Sequence, residues 1–131
     1  MTVGGDDMIV VTESANRTTR TPGGTMSGLA APSQGSAELA TWRVRMAPDG
    51  AGPVHAVDRE QVWMPLAGSF AVTVDGQTRV VGAGQAAILP AGVARQIRAG
   101  AEPAEALVCM PAGGTATVPD DPQPRELPWA R

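Results

Sequence analysis

Apolar and polar residues alternate most clearly over AELATWRVRM (Ala37–Met46). Trp42, Val44 and Met46 fall on one face and Arg43 and Arg45 on the other, which predicts a half-buried strand. The turn cluster APDGAGP (Ala47–Pro53) ends it. Val54–Val57 and Gln61–Leu66 then read as strands joined by the polar Asp58–Glu60. Ser69–Val81 predicts a hairpin around Asp75-Gly76, because a tight primed turn needs positive φ at its central residues. Ala83–Pro90, Val93–Arg98 and Glu105–Met110 complete the strand set. Upstream, Met1–Asp7 reads as a loose arm, Met8–Thr12 as a first strand, and Thr25–Ala31 as a short edge strand. Glu13–Gly24 and Pro32–Ser36 are polar and turn-rich. Pro111–Arg131 holds five prolines and predicts an extended tail over the surface. Trp129 either docks in a groove, on this chain or on a partner subunit, or frays with the tail.

No long stretch carries helical apolar spacing. With 16 Gly and 12 Pro in 131 residues, the short apolar runs between turns predict a single all-β domain, an antiparallel β-barrel or sandwich. Its barrel core is expected over about 37–110, with an arm at 1–36 and a proline-rich tail at 111–131.

The net charge is −3, there is no Lys, and the ten Arg are scattered, so no basic stripe points to nucleic acid. Cys109 is the only cysteine, which rules out an internal disulfide and a four-thiolate zinc site. It is read as a packed, inert thiol. The N-terminus lacks the features of a signal peptide, and no apolar stretch approaches the roughly 20 residues that span a bilayer. A cytoplasmic protein without a membrane partner is the expectation.

Two stretches carry a family resemblance. In GPVHAVDREQVWMPLAG (Gly52–Gly68), His55, Val57, Gln61 and Gly68 keep the spacing of a His-x-His, Glu and Gly motif. In GQAAILPAGVARQI (Gly84–Ile97), Gly84, Pro90, Gly92 and Arg95 keep the spacing of a Gly, Pro-x-Gly and His motif. The region from Trp42 to Met110 thereby resembles the cupin family. That implies a small jelly-roll-like barrel with a funnel-shaped interior, commonly paired as a homodimer. Family members include oxygenases, isomerases, cyclases, lyases and plain binding domains, so the fold leaves the function open.

In the metal-binding pattern, positions 55, 57, 61 and 95 hold His, His, Glu and His. Here they hold His55, Val57, Gln61 and Arg95. Val57 offers no donor atom, and Arg95 places a fixed positive charge where a cation would sit. His55 is the sole histidine. No metal and no other cofactor is expected, unless Asp58 or Glu60 swings inward to rescue a site. Strand alternation turns His55, Val57, Gln61, Trp63 and Arg95 into the barrel.

Without metal, Arg95 can anchor a carboxylate, enolate or phenolate. His55, held neutral beside that charge, can act as a general base. Gln61 can donate to an oxygen, and Trp63 can wall a ring. Trp42 and Val57 would line the same cavity. The plainer alternatives are that His55 is a hydrogen-bonded remnant, that Arg95 closes a buried ion pair with Glu60 or Asp58, and that both tryptophans are core.

Three functions fit. The first is a metal-independent enzyme of secondary metabolism that cyclises, isomerises or dehydrates a small, partly apolar molecule, with His55 and Arg95 catalytic. The second is a sensor or carrier that only binds such a ligand. The third is a metal-dependent oxygenase.

Overall fold

The computed structural model describes residues 7–131. The first six residues of the expected arm lie outside the described residues. The strands are β1 (Thr18–Thr21), β2 (Gly24–Gly28), β3 (Leu39–Met46), β4 (Ala56–Val57), β5 (Gln61–Ala67) and β6 (Ser69–Val74). They continue as β7 (Gln77–Gly82), β8 (Ala87–Leu89), β9 (Arg95–Ala99), β10 (Ala104–Pro111), β11 (Thr115–Val118) and β12 (Asp121–Glu126). Among the described residues the only helical pieces are single 3₁₀ turns at Ala15–Arg17, Pro32–Gln34 and Pro128–Ala130.

All strand pairs are antiparallel. One sheet runs β1-β2-β3-β10-β5-β8. Two smaller ones run β12-β11-β4 and β7-β6-β9. Segment Ala51–Val57 stitches these two together, because Ala51 and His55 bridge to Arg98 and Arg95 of β9 while Ala56 and Val57 pair with β11. The result is two facing antiparallel layers, the all-β sandwich expected from the pattern and the jelly roll that the family resemblance implies. Their inner faces share one apolar cluster, with Trp42, Val44 and Met46 from β3, Val108 and Met110 from β10, and Phe70, Val72 and Ile97 from the opposite layer. Each large side chain buried this way contributes roughly 1.5–3 kcal/mol.

Several expectations at the chain ends are corrected. Met8–Thr12 forms no strand. Ile9 reaches Gly35, and Glu13 binds Arg45, so the segment lies across the outer face of β3 rather than in a ladder. The edge strand expected at Thr25–Ala31 is β2, inside the sheet between β1 and β3. Its neighbour β1 arises from the turn-rich Glu13–Gly24, where the β-branched Thr18, Thr19 and Thr21 suit a ladder. The tail is also more ordered than a draped extension. It folds into the β11–β12 hairpin, and Trp129 packs against this chain's own core. Prolines 122 and 124 are tolerated because β12 is an edge strand, where a missing N–H costs little. Among the described residues no helix is long and apolar enough to cross a membrane.

The outer face of β3 and β10 carries an ion-pair cluster. Arg43 binds Glu105 at 2.7 Å, and Arg45 binds Glu105 at 3.1 Å as well as Glu13. The hydrogen bond from Arg45 holds the Glu13 carboxyl down to about 2 from its ordinary 4.5. A depressed carboxyl pKa gives stability that is present above 4.5 and lost as pH falls toward 2. For a pair this exposed the effect is about 0.5–1 kcal/mol. Glu13→Gln should therefore lower Tm at pH 6 and converge with wild type near pH 2; equal Tm values at pH 6 would remove the pair from the account.

Gly68 joins β5 to β6 at φ 65°, and a Cβ there would meet the Pro103 carbonyl oxygen at 2.4 Å. Gly76 also has positive φ but open space around it. Gly68→Ala should cost about 2–4 kcal/mol in urea unfolding, from strain plus clash, and Gly76→Ala only about 1 kcal/mol. Equal costs would mean that the clash at Gly68 is relieved.

Candidate functional site

The site forms where segment Ala51–Val57 meets β9. His55 lies directly opposite Arg95. The His55 N–H donates to the Arg95 carbonyl at 3.0 Å, and the Arg95 N–H donates to the His55 carbonyl at 2.8 Å. Residues opposed in this way present their side chains on the same face of the sheet. The Gly92 N–H donates to the Val57 carbonyl at 2.7 Å, which pins the Pro90–Val93 turn to β4. Across the barrel, β5 opens on Gln61 and turns Gln61 and Trp63 inward.

Arg95 is the centre. Its side chain is buried, at 1% exposure. Nε donates to the Val93 carbonyl at 3.0 Å, and Nη2 donates to the Pro90 carbonyl at 2.7 Å. Nη1 donates to Gln61 Oε1 at 3.4 Å. Burial lowers its pKa from the ordinary value, but a guanidinium keeps its proton across the physiological range. Among the described residues no carboxylate forms an ion pair with it. The alternative in which Arg95 closes an ion pair with Asp58 or Glu60 is therefore not what the structure holds. Asp58 instead accepts from the Thr115 N–H at 2.7 Å and its hydroxyl at 3.1 Å, and Glu60 is exposed.

Gln61 links the guanidinium to the core. Its Oε1 accepts from Arg95 and, at 3.1 Å, from Trp63 Nε1. Both neighbours are pure donors, so the atom between them must be the oxygen. The Gln61 amide nitrogen then faces the Met110 sulfur at 3.6 Å, a weak acceptor. Trp63 meets Phe70 edge-on, with centroids 5.6 Å apart and planes at 71°. Val57 is fully buried beside them. Trp42 sits on β3 in the apolar core, opposite Gly28 and Val108.

His55 is half-buried at the edge of this group. Burial lowers its pKa, the nearby Arg95 charge lowers it further, and a hydrogen bond with the Pro53 carbonyl opposes both. That bond, at 2.9 Å, joins Nδ1 to a pure acceptor, so Nδ1 carries the proton. In the neutral ring Nε2 keeps a lone pair that accepts no hydrogen bond among the described residues.

The structure thus brings together His55, Val57, Gln61, Trp63 and Arg95 and leaves Trp42 in the core. It adds groups that sequence reasoning missed: the Pro90 and Val93 carbonyls and the Met110 sulfur. The inward phase of the β10 alternation points to Met110, but turn carbonyls leave no side-chain signal. Surface depressions of about 330 and 400 Å³ lie elsewhere, along the Pro128–Arg131 end and the Ser33 turn.

Residues 42–110 match the family described as Cupin domain. The chain belongs to the cupin family. No curated protein matches it in sequence. Among solved structures, KdgF from Halomonas sp. superposes with a TM-score of 0.63 at 18% identity, covering 72% of this chain and 84% of KdgF. The polyketide cyclase RemF from Streptomyces resistomycificus gives 0.65 at 24% identity, covering 89% of this chain and 80% of RemF. An RmlC-like cupin from Shewanella frigidimarina gives 0.62 at 21% identity, covering 76% and 92%. At these identities the likeness concerns the fold.

In a metal-binding cupin the corresponding positions supply ligands. Here they supply one imidazole, one alkyl group, an amide oxygen already accepting from two donors, and a cation. These residues do not fit a metal ion. Among the described residues no three His, Cys, Asp or Glu side chains gather as a metal site needs.

Arg95→Met keeps bulk but strips the Pro90 and Val93 carbonyls of their donors. It should cost about 2–4 kcal/mol in urea unfolding; an unchanged midpoint would show that the guanidinium does not hold the turn. The ring protons of the single histidine should titrate below 6.5 by NMR. Stability should fall as pH drops below 6.5, because the folded state resists protonation. A midpoint at or above 6.5 would contradict the burial of His55.

Proposed function

We propose that this cupin binds a small, partly apolar, oxygen-bearing molecule and transforms it without a metal, by removing a proton next to a carbonyl. The observation that carries this reading is the Nε2 lone pair of His55, which accepts no hydrogen bond among the described residues, directly across the sheet from a buried guanidinium that has no carboxylate partner among them. His55 Nε2 takes the proton, and Arg95 stabilises the negative oxygen of the resulting enolate. Gln61 holds the guanidinium in place, and Val57 and Trp63 supply apolar surface. Aldol cyclisation, isomerisation and dehydration all begin with this enolate. They differ in whether it attacks a second carbonyl, regains the proton elsewhere, or expels a hydroxyl that His55 reprotonates. The fold likeness to RemF, a polyketide cyclase, is compatible with ring closure.

A second reading is a binding module for a small acid or aromatic ligand. It is favoured by the way Arg95, Gln61 and Trp63 are already tied to one another and to turn carbonyls, which makes a rigid receptor. Val57 and Arg95, which offer a metal ion no donor atom, give no support to a metal-dependent oxygenase.

A thermal-shift screen of aromatic acids and of β-hydroxy and β-diketones, followed by mass spectrometry of each stabilising compound, separates the two. The proposal expects a converted product, a rate that falls as pH drops below the lowered His55 pKa, and a His55→Ala variant slower by about 10²–10⁴-fold that still binds. Stabilisation without product would favour the binding module. Full activity in His55→Ala would eliminate His55 as the base.

A further inference from the structure

Segment Ala51–Val57 runs beside β9 in two registers. At one end Ala51 bridges to Arg98, the Gly52 N–H donates to the Ile97 carbonyl at 3.0 Å, and the Ala99 N–H donates to the Gly50 carbonyl at 2.8 Å. At the other end His55 stands opposite Arg95. Between these pairs two residues, Pro53 and Val54, oppose a single one, Gln96. That is a β-bulge, which bends a strand and re-aims its side chains. Without the extra residue Val54 would stand opposite Arg95, and His55 would turn to the other face of the sheet. Proline suits the bulge because it has no ladder N–H to lose.

A side chain closes this bulge. β9 turns Arg95, Ile97 and Ala99 inward and Gln96 outward, where it is half-buried. Gln96 Nε2 donates to the Gly52 carbonyl at 3.1 Å. That carbonyl lies in the rigid peptide plane that joins Gly52 to Pro53. The proline ring then locks the Pro53 φ, so a single torsion, the Pro53 ψ, remains to aim the Pro53 carbonyl. This carbonyl accepts from His55 Nδ1 at 2.9 Å. One chain of contacts therefore runs from Gln96 through the Gly52–Pro53 backbone to the imidazole. We propose that Gln96, on the opposite face of β9 from Arg95, is a positioning residue for His55: by holding the Gly52 carbonyl it fixes the bulge, keeps the Pro53 carbonyl against Nδ1 and leaves Nε2 as the acceptor of the ring. The use of that acceptor in proton removal rests on the proposed function, whereas the placement of the ring does not.

Proton–nitrogen NMR correlation spectra of the single histidine read its tautomer directly, on the full chain. Gln96→Leu removes the donor, and Gln96→Glu offers the Gly52 carbonyl only acceptors at neutral pH. Thr73→Val is the control, because Thr73 stands opposite Gln96 on β6 and its hydroxyl bonds to Thr78 rather than to the segment. At pH above 6.5 wild type and Thr73→Val should hold the Nδ1–H form. In each Gln96 variant the ratio of Nδ1–H to Nε2–H should fall about fivefold, the worth of one ordinary hydrogen bond. Gln96 lies outside the apolar core, and either variant suffices if the other fails to fold. An Nε2–H form in wild type, an unchanged ratio in the Gln96 variants, or an equal fall in Thr73→Val would overturn the inference. A ratio that falls as expected, in a protein that converts none of the screened compounds, would support the role of Gln96 and count against the proposed chemistry, so the two failures are distinguishable.

Discussion

A guanidinium buried to 1% exposure must satisfy its donors from within the chain, and Arg95 does so on the carbonyls of Pro90 and Val93 and on Gln61. That constraint organises the centre of the barrel. It fixes the turn that leads into β9, dictates which end of the Gln61 amide faces inward, and through Gln61 orients the Trp63 indole. An ion pair would have met the same need more simply, but among the described residues no carboxylate is in reach. The charge is instead dispersed over neutral dipoles.

The same substitution explains the loss of fit for a metal. Removing one ligand from a four-ligand site weakens it, whereas replacing a ligand with a cation opposes the ion directly. Val57 extends the apolar core where a second imidazole would stand, and Gln61 has its oxygen committed elsewhere. His55 alone keeps its family residue. With Nδ1 tied to the Pro53 carbonyl and its charged form disfavoured, it is suited to taking a proton at Nε2.

The central barrel was legible because its signals are local. Alternation marked β3, an apolar strand-like run marked β10, Asp75-Gly76 marked the β6–β7 hairpin, and the family spacing of Gly84, Pro90 and Gly92 put Arg95 in the barrel beside His55. The chain ends were less legible. Met8–Val11 is apolar, but pattern alone does not distinguish a strand from a segment lying on the outside of a sheet. Thr18–Thr21 and the prolines of β12 lack an apolar stripe, and their ladders depend on partners far along the chain. Around Arg95, the nearness of His55 and Gln61 was readable from the family spacing, whereas Trp42 lies in the core. The hydrogen bonds of the site were not readable, because backbone carbonyls and the choice of Gln61 over Asp58 or Glu60 as the partner of Arg95 depend on three-dimensional placement.

The claim that a guanidinium occupies the place of a cation is tested most directly by metal uptake. Untagged wild-type protein and the triple variant Val57→His, Gln61→Glu, Arg95→His would each be equilibrated with zinc, manganese or iron(II), dialysed and analysed for bound element. The account predicts no stoichiometric metal in wild type and a bound ion in the triple variant, which restores the ligand set at 57, 61 and 95. One tightly held transition metal per wild-type chain would contradict it.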